Sequence, residues 1–290
     1  VTVLGAVSMP QVSPERLLAV ATAAEHSGLE ELWLWEDCFW GGGIATAATV
    51  LARTERVRVG IGVMPVPLRN VALTAMEVAA LLRLHPGRVM PGFGHGVQDW
   101  MEQIGARVES PMTLLREQLD ALRALLNGEK VSATGRYVHL DNVALDWPPS
   151  TPPPLTAAAT GPQTLRLSGE LADATILTSR TTPDGVRAAR ARIEEGRAKA
   201  ERSEPHRIIV NLLTTTGPDA VERLTAAQQR NSGEHPSEAG VAGDAHAIAQ
   251  AVRRYAEAGA DTVVLEPTDD DPDLIEFVRF AGTEVRPLLS

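Results

Sequence analysis

The chain has 290 residues, 27 basic and 37 acidic side chains for a net charge of −10, and 44% apolar residues, a composition that supports a buried core and excludes a disordered polypeptide. Negative charge spread along the chain repels a phosphate backbone, so nucleic-acid binding is not expected. Cys38 is the single cysteine, no zinc-type Cys/His spacing occurs, and no apolar run approaches the roughly 20 residues that span a bilayer. The expectation is therefore a protein of the reducing cytoplasm with no disulfide, no metal and no membrane segment.

Short β-branched or apolar runs alternate with longer stretches of helical period, as repeated βα units require. Residues 3–7 read as the first strand. Ser13 then supplies an N-cap with Pro14 at the first helical position, Leu17, Leu18, Ala21 and Ala24 form one apolar face, and Gly28 closes the helix. A second strand over 31–37 leads through Gly41–Gly43 to a helix over 45–53, and a third over 57–64 to a helix over 71–84. A strand at 88–94 precedes a helix over 112–127, whose Leu114, Leu115, Leu119, Leu122 and Leu126 share one side, with Gly128 at its end.

Gly135 separates two alternating runs, so a small hairpin is expected over about 129–147. Pro148, Pro149 and Pro152–Pro154 then form an extended strap between two half-barrels. The second half reads as strand 155–159, helix 163–171, strand 174–178, helix 183–201, strand 207–215 and a helix from about Asp219. A mobile loop is expected over 231–243, a helix over 244–258, a strand over 262–266 and a final helix over about 272–285.

The rhythm is unchanged across the strap, so a single domain over 1–290 is expected, an α/β fold of (β/α)8 TIM-barrel type with one small inserted hairpin. A doubly wound sheet is the alternative, but Gly5 stands alone where the dinucleotide fingerprint needs three glycines. In a barrel the chemistry belongs at the C-terminal strand ends.

Four strand ends are unusual. After the second strand, Glu36 and Asp37 are adjacent carboxylates beside the Cys38 thiol; period two sets Asp37 with Trp33 and Trp35, and Glu36 on the opposite face, so one acid points easily into the mouth. The other reading is an acid that caps a helix or pairs with an arginine. In the run Gly60-Ile61-Gly62-Val63-Met64-Pro65 the glycines admit either a ligand ring or a barrel bend. Gly92-Phe93-Gly94-His95-Gly96 suits a turn whose amides face an anion or heterocycle, with His95 either functional or structural. Thr160-Gly161-Pro162-Gln163 opens a helix, where free amides bind phosphate, although proline there is also ordinary helix chemistry. Together these ends point to a large, flat, phosphorylated ligand. Trp40 and Trp100 either wall the pocket or pack, and Glu266 ends the last strand on the substrate side.

Assembled, these residues resemble the luciferase-like monooxygenase superfamily and, within it, the oxidoreductases that use coenzyme F420. The resemblance runs nearly end to end. It rests on Gly28-Leu29 and Leu32-Trp33 leading to Glu36-Asp37, on Gly60-Ile61-Gly62-Val63, on Pro86-Gly87-Arg88 before the fourth-strand glycines, on Gly161-Pro162 followed by Ala172-Asp173-Ala174, and on the hairpin with Gly135 and Tyr137. It implies a barrel that is usually a homodimer and a non-prolyl cis peptide at Gly62–Val63. Gly62, Val63, Met64, Gly94, His95 and Gly96 would then lie against the cofactor ring, with Thr160, Gly161, Pro162 and Gln163 holding its phosphate.

The chain departs from that pattern in two places. Asp37 stands where relatives often carry a histidine that manages a proton, leaving Asp37, Glu36 or Cys38 for the task, and Val97 stands where some relatives have a glutamate. The run from Gly94 to Met101 resembles deazaflavin members, so hydride transfer between F420 and a small organic substrate is the implied activity. A flavin mononucleotide-dependent monooxygenase and a degenerate cofactor-binding barrel without turnover are the alternatives.

Overall fold

In the computed structural model, which describes residues 2–230 and 237–289, parallel strands β1 (Val3–Ser8), β2 (Glu31–Leu34), β3 (Arg58–Pro65) and β4 (Val89–Gly94) stand side by side. An antiparallel hairpin, β5 (Val131–Thr134) and β6 (His139–Val143), interrupts the series. It resumes with β7 (Thr156–Ala158), β8 (Ala174–Leu177), β9 (Arg207–Thr215), β10 (Gly240–Ala242) and β11 (Thr262–Pro267). β8 pairs with β9 and β11 pairs with β1, so β1, β2, β3, β4, β7, β8, β9 and β11 close into the expected eight-stranded barrel.

The strand β10 is a correction to the sequence reading, which gave 231–243 to a mobile loop. Residues 231–236 lie outside the described ones, but Gly240–Ala242 pairs with Leu213–Thr215 of β9. β8 pairs with β9 only as far as Val210, and β10 takes up the same strand nearer the mouth.

Helices wrap the barrel: α1 (Pro14–Ser27), α2 (Gly43–Leu51), α3 (Val71–Leu84), α4 (Gln98–Gln103), α5 (Pro111–Leu126), α6 (Pro162–Leu171), α7 (Pro183–Lys199), α8 (Ala220–Arg230), α9 (Ala245–Glu257) and α10 (Leu274–Phe280). α1 shows how local sequence sets such an element. Pro14 occupies its first turn, Leu17, Val20, Ala21 and Ala24 are buried, and Gly28 ends it with φ 73°, its N–H donating to the carbonyl of Ala24. All five leucines expected to share a face of α5 are buried, each contributing about 1.5–3 kcal/mol relative to exposure. The short α4 carries no periodic signal in its six residues. The expected final helix over 272–285 is divided: α10 passes into a π-helical turn at Ala281–Val285, where Gly282 lies so close to Ser27 that a Cβ would fall 2.2 Å from its Oγ.

Below the mouth the barrel axis is filled by Trp33, packed with Val7, Met90, Ile176, Ile209 and Val264. Its indole lies over Gly60, where a Cβ would fall 2.4 Å from the ring. The indole N–H donates to Glu31 Oε2 at 2.9 Å, and the fully buried Glu31 is paired with Arg58 at 2.8 Å and Arg207 at 3.4 Å. Gly60 is thus a seat for a side chain of the protein.

α6 and α7 cross on two glycines. A Cβ on Gly169 would fall 2.1 Å from the Ile193 carbonyl oxygen, and one on Gly196 would fall 2.0 Å from that of Arg166. Because these obstacles are backbone atoms, the helices must separate to admit any side chain. Gly196→Ala is expected to lower stability by roughly 1–3 kcal/mol, read as an earlier midpoint in urea unfolding; an unchanged midpoint would show that the crossing is not close-packed.

Candidate active site at the barrel mouth

A cavity of about 1180 Å³ opens at the C-terminal ends of the strands, where a barrel keeps its chemistry. Its wall includes Asp37, Gly62, Val63, Gly94, His95 and Gly96, together with Thr160, Pro162, Trp100 and Glu266. With Glu36, which also lines it, eleven residues expected from sequence to serve catalysis, cofactor or substrate therefore converge there.

The adjacent carboxylates after β2 part company. Glu36 forms a two-pronged pair with Arg69, Nη1 to Oε2 at 2.8 Å and Nη2 to Oε1 at 2.6 Å, and is only 7% exposed. It sits at the cavity wall but is held by the guanidinium, the arginine-paired role that one of the two acids was expected to take. Asp37 has no ion pair among the described residues, and burial alone pushes its pKa up to about 6. Across β1, Glu266 accepts a hydrogen bond from Ser179 Oγ at 3.0 Å. Burial, opposed by hydrogen bonds from Ser179 and Asn211 and assisted by the charges of Asp37 and Asp269, pushes Glu266 up to about 7. Two carboxyl groups that exchange protons near neutrality thus face one cavity.

On the glycine side, β3 slips register against β4 between Ile61 and Met64, and the Gly62–Val63 peptide is cis, as the resemblance implied. The Cys38–Phe39 peptide is also cis, which nothing in the sequence signals. A Cβ on Gly94 would press to 2.8 Å from Val63 Cγ2, and Gly96 takes φ 71°, a left-handed conformation suited to glycine. His95 Nε2 lies 3.4 Å from Thr164 Oγ1, while its Nδ1 is buried without a hydrogen-bond partner among the described residues. Burial lowers the His95 pKa, which keeps the ring neutral.

Gly161 caps α6 with no side-chain hydrogen bond to the first-turn amides, and a Cβ there would meet nothing within 4 Å. The start of α6 is therefore open to an anion. Gly161 and the exposed Gln163 belong to that helix start at the cavity rim, outside the wall itself.

Three expected residues lie elsewhere. The Met64 side chain is 1% exposed within the barrel-to-helix core, because the register slip turns it away from the mouth. Cys38 does not line the cavity; burial, then the charges of Glu36 and Asp37, push its thiol pKa up, so it stays protonated. Trp40 is 51% exposed and walls a separate recess.

Sequence reasoning missed Ser179, Asn211 and Arg192, which also line the mouth. The hydroxyl-rich run 178–182 after β8 and the polar Asn211 in the middle of the apolar run 208–213 were legible signals. Arg192, on the third turn of α7, carries none.

The profile of the luciferase-like monooxygenase family matches residues 2–262. The chain is 31% identical over 278 residues to the F420-dependent glucose-6-phosphate dehydrogenase of Nocardia farcinica, covering 86% of this chain and 82% of that one. It is 30% identical over 211 residues to the 5,10-methylenetetrahydromethanopterin reductase of Methanolobus tindarius, covering 72% of this chain but 64% of the relative, just under two thirds of its length. Among solved structures, an F420-dependent secondary alcohol dehydrogenase holding an F420-acetone adduct superposes with a TM-score of 0.87 at 21% identity, over 100% of this chain and 99% of that one. The coenzyme F420-dependent tetrahydromethanopterin reductase of Methanopyrus kandleri gives 0.85 at 19% identity, with coverage of 100% and 99%. The chain belongs to the luciferase-like monooxygenase family.

Proposed function

We propose that the protein is an F420-dependent oxidoreductase that moves a hydride between the deazaflavin and a small organic substrate. The observation that carries this reading is Asp37: a carboxyl at the barrel mouth, free of any cation among the described residues and titrating near neutrality by burial. The relatives named for F420 support the choice of cofactor.

The residues present fit such a group. The bulge at Gly62–Val63, with Gly94 packed against Val63, lines the cavity, His95 Nδ1 lacks a hydrogen-bond partner among the described residues, and the open start of α6 at Thr160 to Gln163 suits a phosphate. Bound there, F420 would supply or accept the hydride and leave proton management to the protein. Asp37 gives its proton to the substrate oxygen when a carbonyl is reduced, and takes it back when an alcohol is oxidised. Glu266, set by Ser179 and Asn211, lies on the same side and keeps a second proton near the reacting oxygen. Glu36 holds Arg69 and thereby the loop that carries Asp37.

We also place a second copy of the chain against α3, where Leu73 and Met76, one helical turn apart, are 46% and 60% exposed. The free thiol of Cys38 and the absence, among the described residues, of any helix long and apolar enough to cross a membrane fit the reducing cytoplasm.

Asp37→Asn should lower kcat by about 10²–10⁴-fold while leaving F420 affinity nearly intact. Because the folded carboxyl titrates at about 6, wild-type carbonyl reduction should be fastest below that pH and fall about tenfold per pH unit above it. The variant should lose this limb of the kcat profile; equal loss of binding and turnover would make Asp37 structural. In fluorescence titrations F420 should bind at micromolar concentration and more tightly than flavin mononucleotide, and Gly94→Val should abolish F420 binding. Tighter flavin binding would favour a monooxygenase. Light scattering should give twice the monomer mass, reduced to the monomer by Met76→Asp; a wild-type monomer would remove the dimer.

A further inference from the structure

A second cavity of about 310 Å³ lies beside the mouth, between the segment after β1 and the start of α2. Trp35 belongs to both walls, so the recess and the chamber holding Asp37 meet at this residue. The two differ in chemistry. The mouth contains carboxylates, arginines and a histidine, whereas none of the thirteen residues around the recess is charged. Met9, Val12, Leu17, Leu34, Trp35 and Trp40 give it an apolar lining. Trp40 in this lining is 51% exposed, and Phe39, the residue before it, is 63% exposed. A charged or phosphorylated group would lose its hydration there with no counter-ion in return.

We propose that this recess is a binding site for an apolar arm of the substrate, an alkyl chain or a ring attached to the carbonyl or secondary alcohol whose oxygen is served by Asp37. The proposal rests on the oxidoreductase reading for the reacting group, but the recess itself is independent of it. Its volume lies at the lower end of the range for small-molecule pockets, enough for a medium-length chain. Trp35 lies where such an arm must turn from chamber to recess, so the tryptophan sets how far the reacting carbon stands from Asp37. Specificity follows by class: longer apolar ketones and alcohols are preferred to acetone, and substrates with a charge on that arm are rejected.

The test is a series of methyl ketones from acetone to 2-nonanone with reduced F420, in wild type, Thr46→Phe and Trp40→Ala. Thr46 lines the recess, and a phenyl ring in its place narrows it. In wild type kcat/KM should rise about three- to fourfold per added methylene until the recess is full. The rise should flatten in Thr46→Phe and weaken in Trp40→Ala, whose half-exposed side chain is removable without disturbing the core. A flat wild-type series, or the same rise in Thr46→Phe, overturns the proposal. A second arm needs no turnover: 2-nonanone binding to the cofactor-free protein, read by quenching of tryptophan fluorescence, should occur in wild type and be lost in Thr46→Phe. Retained binding in that variant, or none in wild type, overturns the recess even if F420 chemistry holds. Binding without any F420 affinity would sink the oxidoreductase reading and leave the recess standing.

Discussion

The axis of a closed barrel has to be filled below its mouth, and in this chain one indole does most of the filling. Trp33 is seated over Gly60, approaches Gly5 and Gly62 closely, and is anchored by its N–H to a fully buried Glu31 that two arginines neutralise. Everything that makes a site lies above that floor. Were the ring smaller, the strands would have a void to close over or a deeper chamber to leave open. Were Gly60 any larger residue, the indole could not lie flat. The depth of the cavity, and with it the height at which Asp37 and Glu266 face it, follows from this contact.

The two acids after β2 show how much neighbourhood decides. Both belong to the same short segment and differ by one residue, yet Glu36 is clamped in two places by Arg69 while Asp37 is left with burial as its only perturbation. A bidentate arginine makes its carboxylate a fixed strut, whereas desolvation without a cation favours the neutral acid. The strut helps to fix the loop, and the fixed loop keeps Asp37 at the cavity. A carboxyl with a raised pKa is thus produced by withholding an arginine from one acid and giving it to the other.

The barrel was legible because its signals are periodic: α3 and β9 run over the residues that their patterns mark, and the leucine face of α5 is buried as written. What was not legible came from contacts between distant segments. A glycine in a strand reads alike whatever lies over it, and only the fold assigns Gly60 to the Trp33 indole and Gly94 to the Val63 side chain at the cavity wall. Met64 changed sides because β3 slips against β4, a break in period that no count of residues reveals. β10 escaped notice because a three-residue strand is defined by the edge of β9 that receives it. For the site, the alternation that separated Glu36 from Asp37 was readable, while the identity of Arg69 as the partner, 33 residues on, was not.

The arrangement of charge around the rim follows from strand order. In the ring of eight strands β1 lies between β2 and β11, so Asp37 and Glu266 flank it on one side of the mouth. The strand diametrically opposite β1 is β7, which leads into Gly161 and the open start of α6. An anion held there is as far from the two carboxyl groups as the barrel allows. Like charges drawn together in a cavity of low dielectric would push the carboxyl pKa values higher still and weaken the hold on the anion. With the diameter of the barrel between them, the helix start can keep its positive potential for a phosphate while Asp37 stays close to neutrality, where a carboxyl both gives and takes a proton. The glycine crossing packs α6 closely on α7, so the helix that begins at this rim is fastened to the outer layer of the barrel.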